Sequence, residues 1–246
     1  MKKFMAIATA AVMALSLAAC GKAADGDKKS AGVMTYAEYV AAAVDTPVTV
    51  ETYVQAKQGW WEDKATIYTQ DKDGAYFIYQ MPISQEEYDK LTPGTKIKVA
   101  GTKSEWSGEV EIIDVTSYEI ESGNYKPAAV DLTDKLSSDD LINYQNQFFT
   151  AKGLTVVAKQ DANGNDAAFL YNWDGSGEAG SNSDLYFDVK LGDNTYTFTV
   201  ESYLCGEGTD VYTAVTGLNV GDTIDVEGYL YWYNGVNPHI TSVTVK

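Results

Sequence analysis

Leu91-Thr-Pro-Gly94-Thr-Lys-Ile97-Lys-Val99-Ala-Gly101 recurs downstream as Leu218-Asn-Val-Gly221-Asp-Thr-Ile224-Asp-Val226-Glu-Gly228. All matched positions keep one offset, and at that offset Gly108 also matches Gly235. One residue later, Ile112 and Val115 match Ile240 and Val243. Each copy therefore reads as turn, strand, glycine, hairpin tip, strand, and a repeat of this kind implies two similar folded units. Gly94 and Gly221 suit a turn that needs positive φ. Gly101 and Gly228 stand in mid-strand, where a bulge or a sharp coil has no room for a side chain.

Outward from this pair, each copy carries the same upstream elements. Thr66–Thr69 and Tyr76–Gln80 flank an Asp73-Gly74 turn, and Leu185–Leu191 and Tyr196–Val200 flank Gly192-Asp193-Asn194. Both are hairpins with residues suited to φ > 0 at the turn. A first strand precedes each hairpin, at Val48–Lys57 and Phe148–Ala158. Ser84 and Glu87 form a capping box that starts a short helix, which Pro93-Gly94 stops. A second capping box, Thr35 with Glu38, starts a helix ahead of Tyr36, Tyr39, Val40 and Ala43. Ser137–Tyr144 is a further short helix.

Five strands with a helix between the third and fourth resemble the OB (oligonucleotide/oligosaccharide-binding) fold, here in tandem. The LxxGxxIxVxG stretch is similar to the fourth strand of many OB domains. The resemblance implies a mainly β protein with two five-stranded OB-like barrels and short helices. It does not fix a ligand, because this fold hosts many.

The N-terminus supplies a location. Lys2 and Lys3 precede an apolar run from Phe4 to Leu17 that only Thr9 and Ser16 interrupt. That run is too short to cross a bilayer as a folded helix and ends in small residues, the pattern of a secretory signal. Leu17-Ala18-Ala19-Cys20 resembles a bacterial lipobox. The resemblance implies cleavage before Cys20 and a lipid on its thiol, and the whole chain is similar to bacterial OB-fold lipoproteins. The expected organisation is a signal peptide at 1–19, lipidated Cys20 and a flexible tether at 20–33, and an OB-like domain at 34–124. A linker at 125–136 and a second OB-like domain at 137–246 follow. The protein is expected on the extracytoplasmic side of the cell membrane, anchored through Cys20.

Composition narrows the partners. The chain has 35 acidic and 18 basic residues, a formal net charge of −17, and all its basic residues are lysine. Without the guanidinium fork, bidentate phosphate recognition is unavailable. A chain this acidic opposes the approach of phosphate backbones, so nucleic acid is not expected as a partner. His239 is the only histidine, and once Cys20 is lipidated Cys205 is the only thiol. No cofactor or metal is expected. Asp161-Ala-Asn163-Gly164-Asn165-Asp166 faintly resembles a calcium loop, but it lacks the length and closing glutamate of an EF-hand. Motifs of nucleophilic, P-loop and zinc catalysis are missing from the sequence, and the chain is not expected to be an enzyme.

All five tryptophans fall in two equivalent places of the repeat. Trp60, Trp61 and Trp173 lie between the first and second strands of their units; Trp106 and Trp232 lie at the hairpin between the fourth and fifth. In OB folds these loops flank the ligand-binding face. Trp60, Trp61, Trp106, Trp173 and Tyr233 are the candidate contacts for a glycan or an envelope protein, since large rigid rings stack at low entropic cost. Trp106, beside a glycine tip, also has a purely structural reading as a cover for the barrel end. Strand alternation places Trp232 inward with Ile224, Val226 and Leu230. It places Tyr229, Tyr231 and Tyr233 in an outward stripe that serves either a ligand or the contact between the two units. The expected function is non-catalytic binding of an envelope glycan or protein. The alternative is an assembly module with no small ligand.

Overall fold

The computed structural model describes residues 29–246. The signal peptide and Cys20 lie outside the described residues. Helix α1 (Tyr36–Ala41) starts at the expected capping box: the Glu38 amide donates to Thr35 Oγ1 at 3.2 Å, and the Thr35 amide donates to Glu38 Oε2 at 2.8 Å. At its other end Lys103 Nζ donates to the carbonyls of Tyr39, Val40 and Ala42 at 2.9, 3.0 and 2.8 Å. One ammonium thus satisfies carbonyls that the short helix leaves open.

Strands β1 (Pro47–Lys57), β2 (Lys64–Gln70), β3 (Ala75–Pro82), β4 (Lys96–Trp106) and β5 (Glu109–Glu121) form a closed barrel in the order β1-β2-β3-β5-β4, with α2 (Gln85–Lys90) between β3 and β4. Only the β3–β5 pair is parallel. Alternating Val48, Val50, Ile97 and Val99 point inward with Ile67, Ile78, Met81, Leu91 and Ile112 to fill the interior. This is an OB barrel.

The second barrel repeats the order. Its chain begins with β6 (Val130–Asp131) and its first barrel strand, β7 (Phe148–Val157), followed by three two-residue pieces, β8 (Lys159–Gln160), β9 (Asp166–Ala167) and β10 (Leu170–Tyr171). Then follow β11 (Leu185–Leu191), β12 (Asn194–Val200), α3 (Ser202–Cys205), α4 (Asp210–Thr216), β13 (Thr223–Tyr229) and β14 (His239–Val245). The ring runs β7-β11-β12-β14-β13 and back to β7, and its one parallel pair is again third strand to fifth, β12–β14. Phe149, Phe187, Phe198, Leu154, Ile224 and Ile240 form its core. Helix α4, which the sequence reading did not anticipate, buries Val211, Tyr212 and Val215.

The repeated glycines have the geometry their positions imply. Gly94 and Gly221 sit at φ +99° and +98°. The strand register shifts at both mid-strand glycines, between Ala100 and Thr102 and between Glu227 and Gly228. A side chain at Gly101 would stand 2.7 Å from the Ile113 carbonyl oxygen, and one at Gly228 would stand 2.9 Å from Ile240 Cα. The barrels can coil tightly there because no Cβ intervenes.

The segment expected as a linker divides in two. Residues from Val130 on belong to barrel two: β6 pairs in parallel with β7, and Leu132 and Leu136 are buried in that core. Their apolar side chains need cover that a free linker would not give.

Candidate functional site

The two barrels meet through side chains that leave their strands outward. Tyr68, Phe77 and Tyr229 form a buried aromatic cluster of their own, flanked by Phe148 and Tyr231. Tyr68 stacks on Tyr229 with centroids 4.6 Å apart, and Tyr231 stacks on His239 at 4.2 Å. The outward tyrosine stripe is therefore, in Tyr229 and Tyr231, the contact between units. His239 Nδ1 pairs with the Tyr68 hydroxyl at 2.6 Å, and complete burial holds the imidazole neutral, with its pKa pulled down to about 3.

Polar bonds fix the joint's orientation. Buried Glu109 accepts the Trp232 amide at 2.9 Å on one oxygen and Asn146 Nδ2 on the other. Desolvation outweighs those bonds and pushes its pKa up to about 8. Gln145 Nε2 donates to the Gly108 carbonyl at 2.8 Å, and the Asn234 amide donates to the Ser107 carbonyl at 2.7 Å. The two equivalent hairpin tips, one from each barrel, are thereby pinned together.

Pinning the tips creates a cleft of about 700 Å³ across the joint. Trp106, at the end of β4, and Tyr233, in the β13–β14 hairpin, face each other at 5.1 Å. Trp173 reaches in from the long loop between β7 and β11, and Tyr79 from β3; Tyr186 and Tyr231 complete the aromatic walls. Trp173 is 73% exposed, Trp106 54% and Tyr233 47%, so their faces are free to meet a ligand. Gln58 and Asn237 supply amides, and Asp184 and Glu201 supply carboxylates. Gln58 Nε2 donates to Glu201 Oε2 at 3.0 Å, and the Ser202 amide donates to Asp184 Oδ1 at 2.8 Å. Burial, with the Asp184 charge beside it, pushes Glu201 up to about 7.

A second, adjoining groove of about 420 Å³ shares Gln58, Tyr79 and Glu201 with the first and carries Trp61 and Tyr203. Of the five candidate residues, Trp106, Trp173 and Tyr233 thus converge on one cleft, and Trp61, 51% exposed, stands in its side arm. Trp60 goes elsewhere. It packs half-buried against the core of barrel one, with Nε1 donating to the Ile83 carbonyl at 3.0 Å. Tyr79, Asp184, Glu201 and Asn237 were not candidates from sequence. The Asp161 turn is held by its own carboxylate, whose Oδ1 accepts the Asn163 and Asn165 amides at 2.8 Å each.

No protein-family model matches the chain, and no curated protein matches it. Solved structures similar to it include the hypothetical protein ygiW from E. coli, at 20% identity over 36% of this chain and 89% of that one, with a TM-score of 0.27. The tetrameric p202 HIN2 is similar at 12% identity over 83% of this chain and 96% of its own, with a TM-score of 0.33. The Ifi202 HINa domain in complex with 20 bp dsDNA is similar at 12% identity over 83% and 97%, with a TM-score of 0.29. Three of the similar solved structures, the Ifi202 HINa domain, p202 HIN1 and a murine DNA binding protein, are bound to double-stranded DNA, and the exclusion of nucleic acid read from the sequence is withdrawn. Net charge sums over a whole surface, whereas a nucleic acid meets one local patch, so the sum does not exclude this class of partner.

Proposed function

We propose that the protein is a lipid-anchored extracytoplasmic lipoprotein that binds a glycan, without catalysis, in the cleft between its two barrels. The observation that carries this reading is the convergence of Trp106, Trp173, Tyr79 and Tyr233 around one open cleft edged by Gln58 and Asn237. Sugar rings present C–H faces that stack on aromatic rings, while their hydroxyls need amide and carboxylate partners at the rim. The site spans both barrels, which gives the tandem arrangement a purpose. The lipobox resemblance at Cys20 supports the anchor, and diacylation gives a stable membrane hold.

The test is titration of the mature protein with an oligosaccharide panel, read by calorimetry and by product analysis. Binding that leaves the sugar intact, and that weakens at least about ten-fold in Trp173→Ala or Trp106→Ala with unchanged melting, is the expected result. Cleavage of the sugar would replace binding by catalysis. Cys20→Ser is expected to leave the membrane fraction, and retention of that variant would overturn the anchor. The second reading, an assembly module, draws on exposed Trp61 and Tyr203 in the side arm. It is favoured if no sugar binds and Trp61→Ala abolishes recovery of an envelope protein.

A further inference from the structure

The charge of the cleft narrows its ligand, an inference that rests on the glycan reading above. Asp184 and Glu201 both line the cleft, and no lysine does. Neither carboxylate has a cationic partner among the described residues: each has one oxygen engaged, Glu201 with Gln58 and Asp184 with the Ser202 amide. The Tyr203 and Leu204 amides also lie against the Glu201 carboxylate, so what the pair lacks is a positive charge. Tyr186 and Tyr231 lie close enough to feel the Glu201 charge. Their rings, with Trp106 and Trp173, give the cleft negative π faces beside unpaired carboxylates.

A neutral sugar filling this space can offer the two carboxylates hydroxyl donors but no compensating charge, and an anionic sugar would add repulsion. A protonated amine answers both features, since an ammonium is held by aromatic faces and by carboxylates together. We infer that the cleft selects a sugar chain carrying free amines, with an ammonium seated between the carboxylates of Asp184 and Glu201 and the rings of Tyr186 and Tyr231. The raised pKa of Glu201 fits a carboxyl that lacks the positive neighbour such a ligand brings.

The test compares matched-length oligomers of glucosamine and of N-acetylglucosamine, with tetralysine as a cation lacking sugar rings, by calorimetry on the mature protein. The amine form is expected to bind at least about ten-fold more tightly than the acetylated form, the size of one partly desolvated cation contact. In Glu201→Gln that preference is expected to fall below about three-fold while the acetylated oligomer keeps its affinity. Trp173→Ala is expected to weaken both oligomers. Equal affinity for the two oligomers, or preference for the acetylated one, overturns the amine inference and leaves glycan binding standing. Tetralysine binding as tightly as the glucosamine oligomer overturns it too, as adsorption to an acidic surface. Binding of neither oligomer, nor of any sugar in the panel, fails the glycan reading itself.

Discussion

The two barrels share a strand order yet cover their surfaces differently. In barrel one the helix between the third and fourth strands, α2, has no buried residue, and α1 packs Tyr39 edge-on against Tyr76 at 4.9 Å instead. In barrel two the corresponding helix, α4, buries three side chains, aided by Leu132, Leu136 and Leu141 from the segment before β7. The first two strands are joined by a short loop in barrel one and by the 158–184 segment in barrel two, which carries Trp173. The contrast teaches that strand pairing sets the barrel, while any helix that covers apolar surface can serve as its cap. Loop divergence then makes the cleft asymmetric, with Trp173 over its main part and Trp61 in the side arm.

The largest expected effect tests the caps. Tyr212→Ala on α4 is expected to cost about 3–5 kcal/mol, as for losing a buried ring. Glu86→Ala on exposed α2 is expected to stay within about 0.5 kcal/mol. Denaturant melts measure both, and similar losses would erase the distinction between the helices.

Next come the paired glycines, at which both barrels should lose stability. Gly101→Ala and Gly228→Ala are each expected to cost about 1–3 kcal/mol through forced backbone shifts. Gly228→Ala should cost more, because the added carbon would meet the His239 carbonyl oxygen as well as Ile240 Cα. A neutral result at either position would mean that its barrel does not need the close approach.

The joint differs from both cores in being titratable. Glu109 has a folded pKa of about 8 against an ordinary 4.5, so the folded state holds a proton that the unfolded chain has released. Its stabilising contribution is complete below pH 4.5 and is lost as pH rises through 8. His239 works the other way, its contribution falling away as pH drops from 6.5 towards 3. Melting temperature is therefore expected to decline from pH 6.5 to pH 8, and Glu109→Gln should flatten that limb. An unchanged slope in the variant would place the alkaline loss outside the joint.

The smallest effects separate neighbouring tryptophans. Trp61→Ala and Trp173→Ala are expected to move stability by no more than about 0.5 kcal/mol, whereas Trp60→Ala should cost roughly 2 kcal/mol or more. A large loss for Trp61 or Trp173 would convert that cleft residue into a packing residue.

The sequence by itself determined the two barrels. A repeated turn–strand–glycine pattern, period-two alternation and capping boxes are local signals, and a strand's inward face follows from parity alone. Parity likewise set Tyr229 and Tyr231 outward. What they would meet was not legible, because Tyr68 and Phe77 lie in another barrel and such contacts leave no periodic trace. Trp60 and Trp61 are adjacent in the chain, yet one packs on a core and the other opens to a groove; a loop's path, which has no fixed period, decides that. Helix α4 carried a usable signal in Thr209, whose hydroxyl accepts the Tyr212 amide at 3.4 Å, followed by Val211, Tyr212 and Val215. The cleft was the least legible feature. Its walls come from Tyr79, Trp106, Trp173, Glu201 and Tyr233, and only the packing of one barrel on the other brings those distant positions within reach of a single ligand.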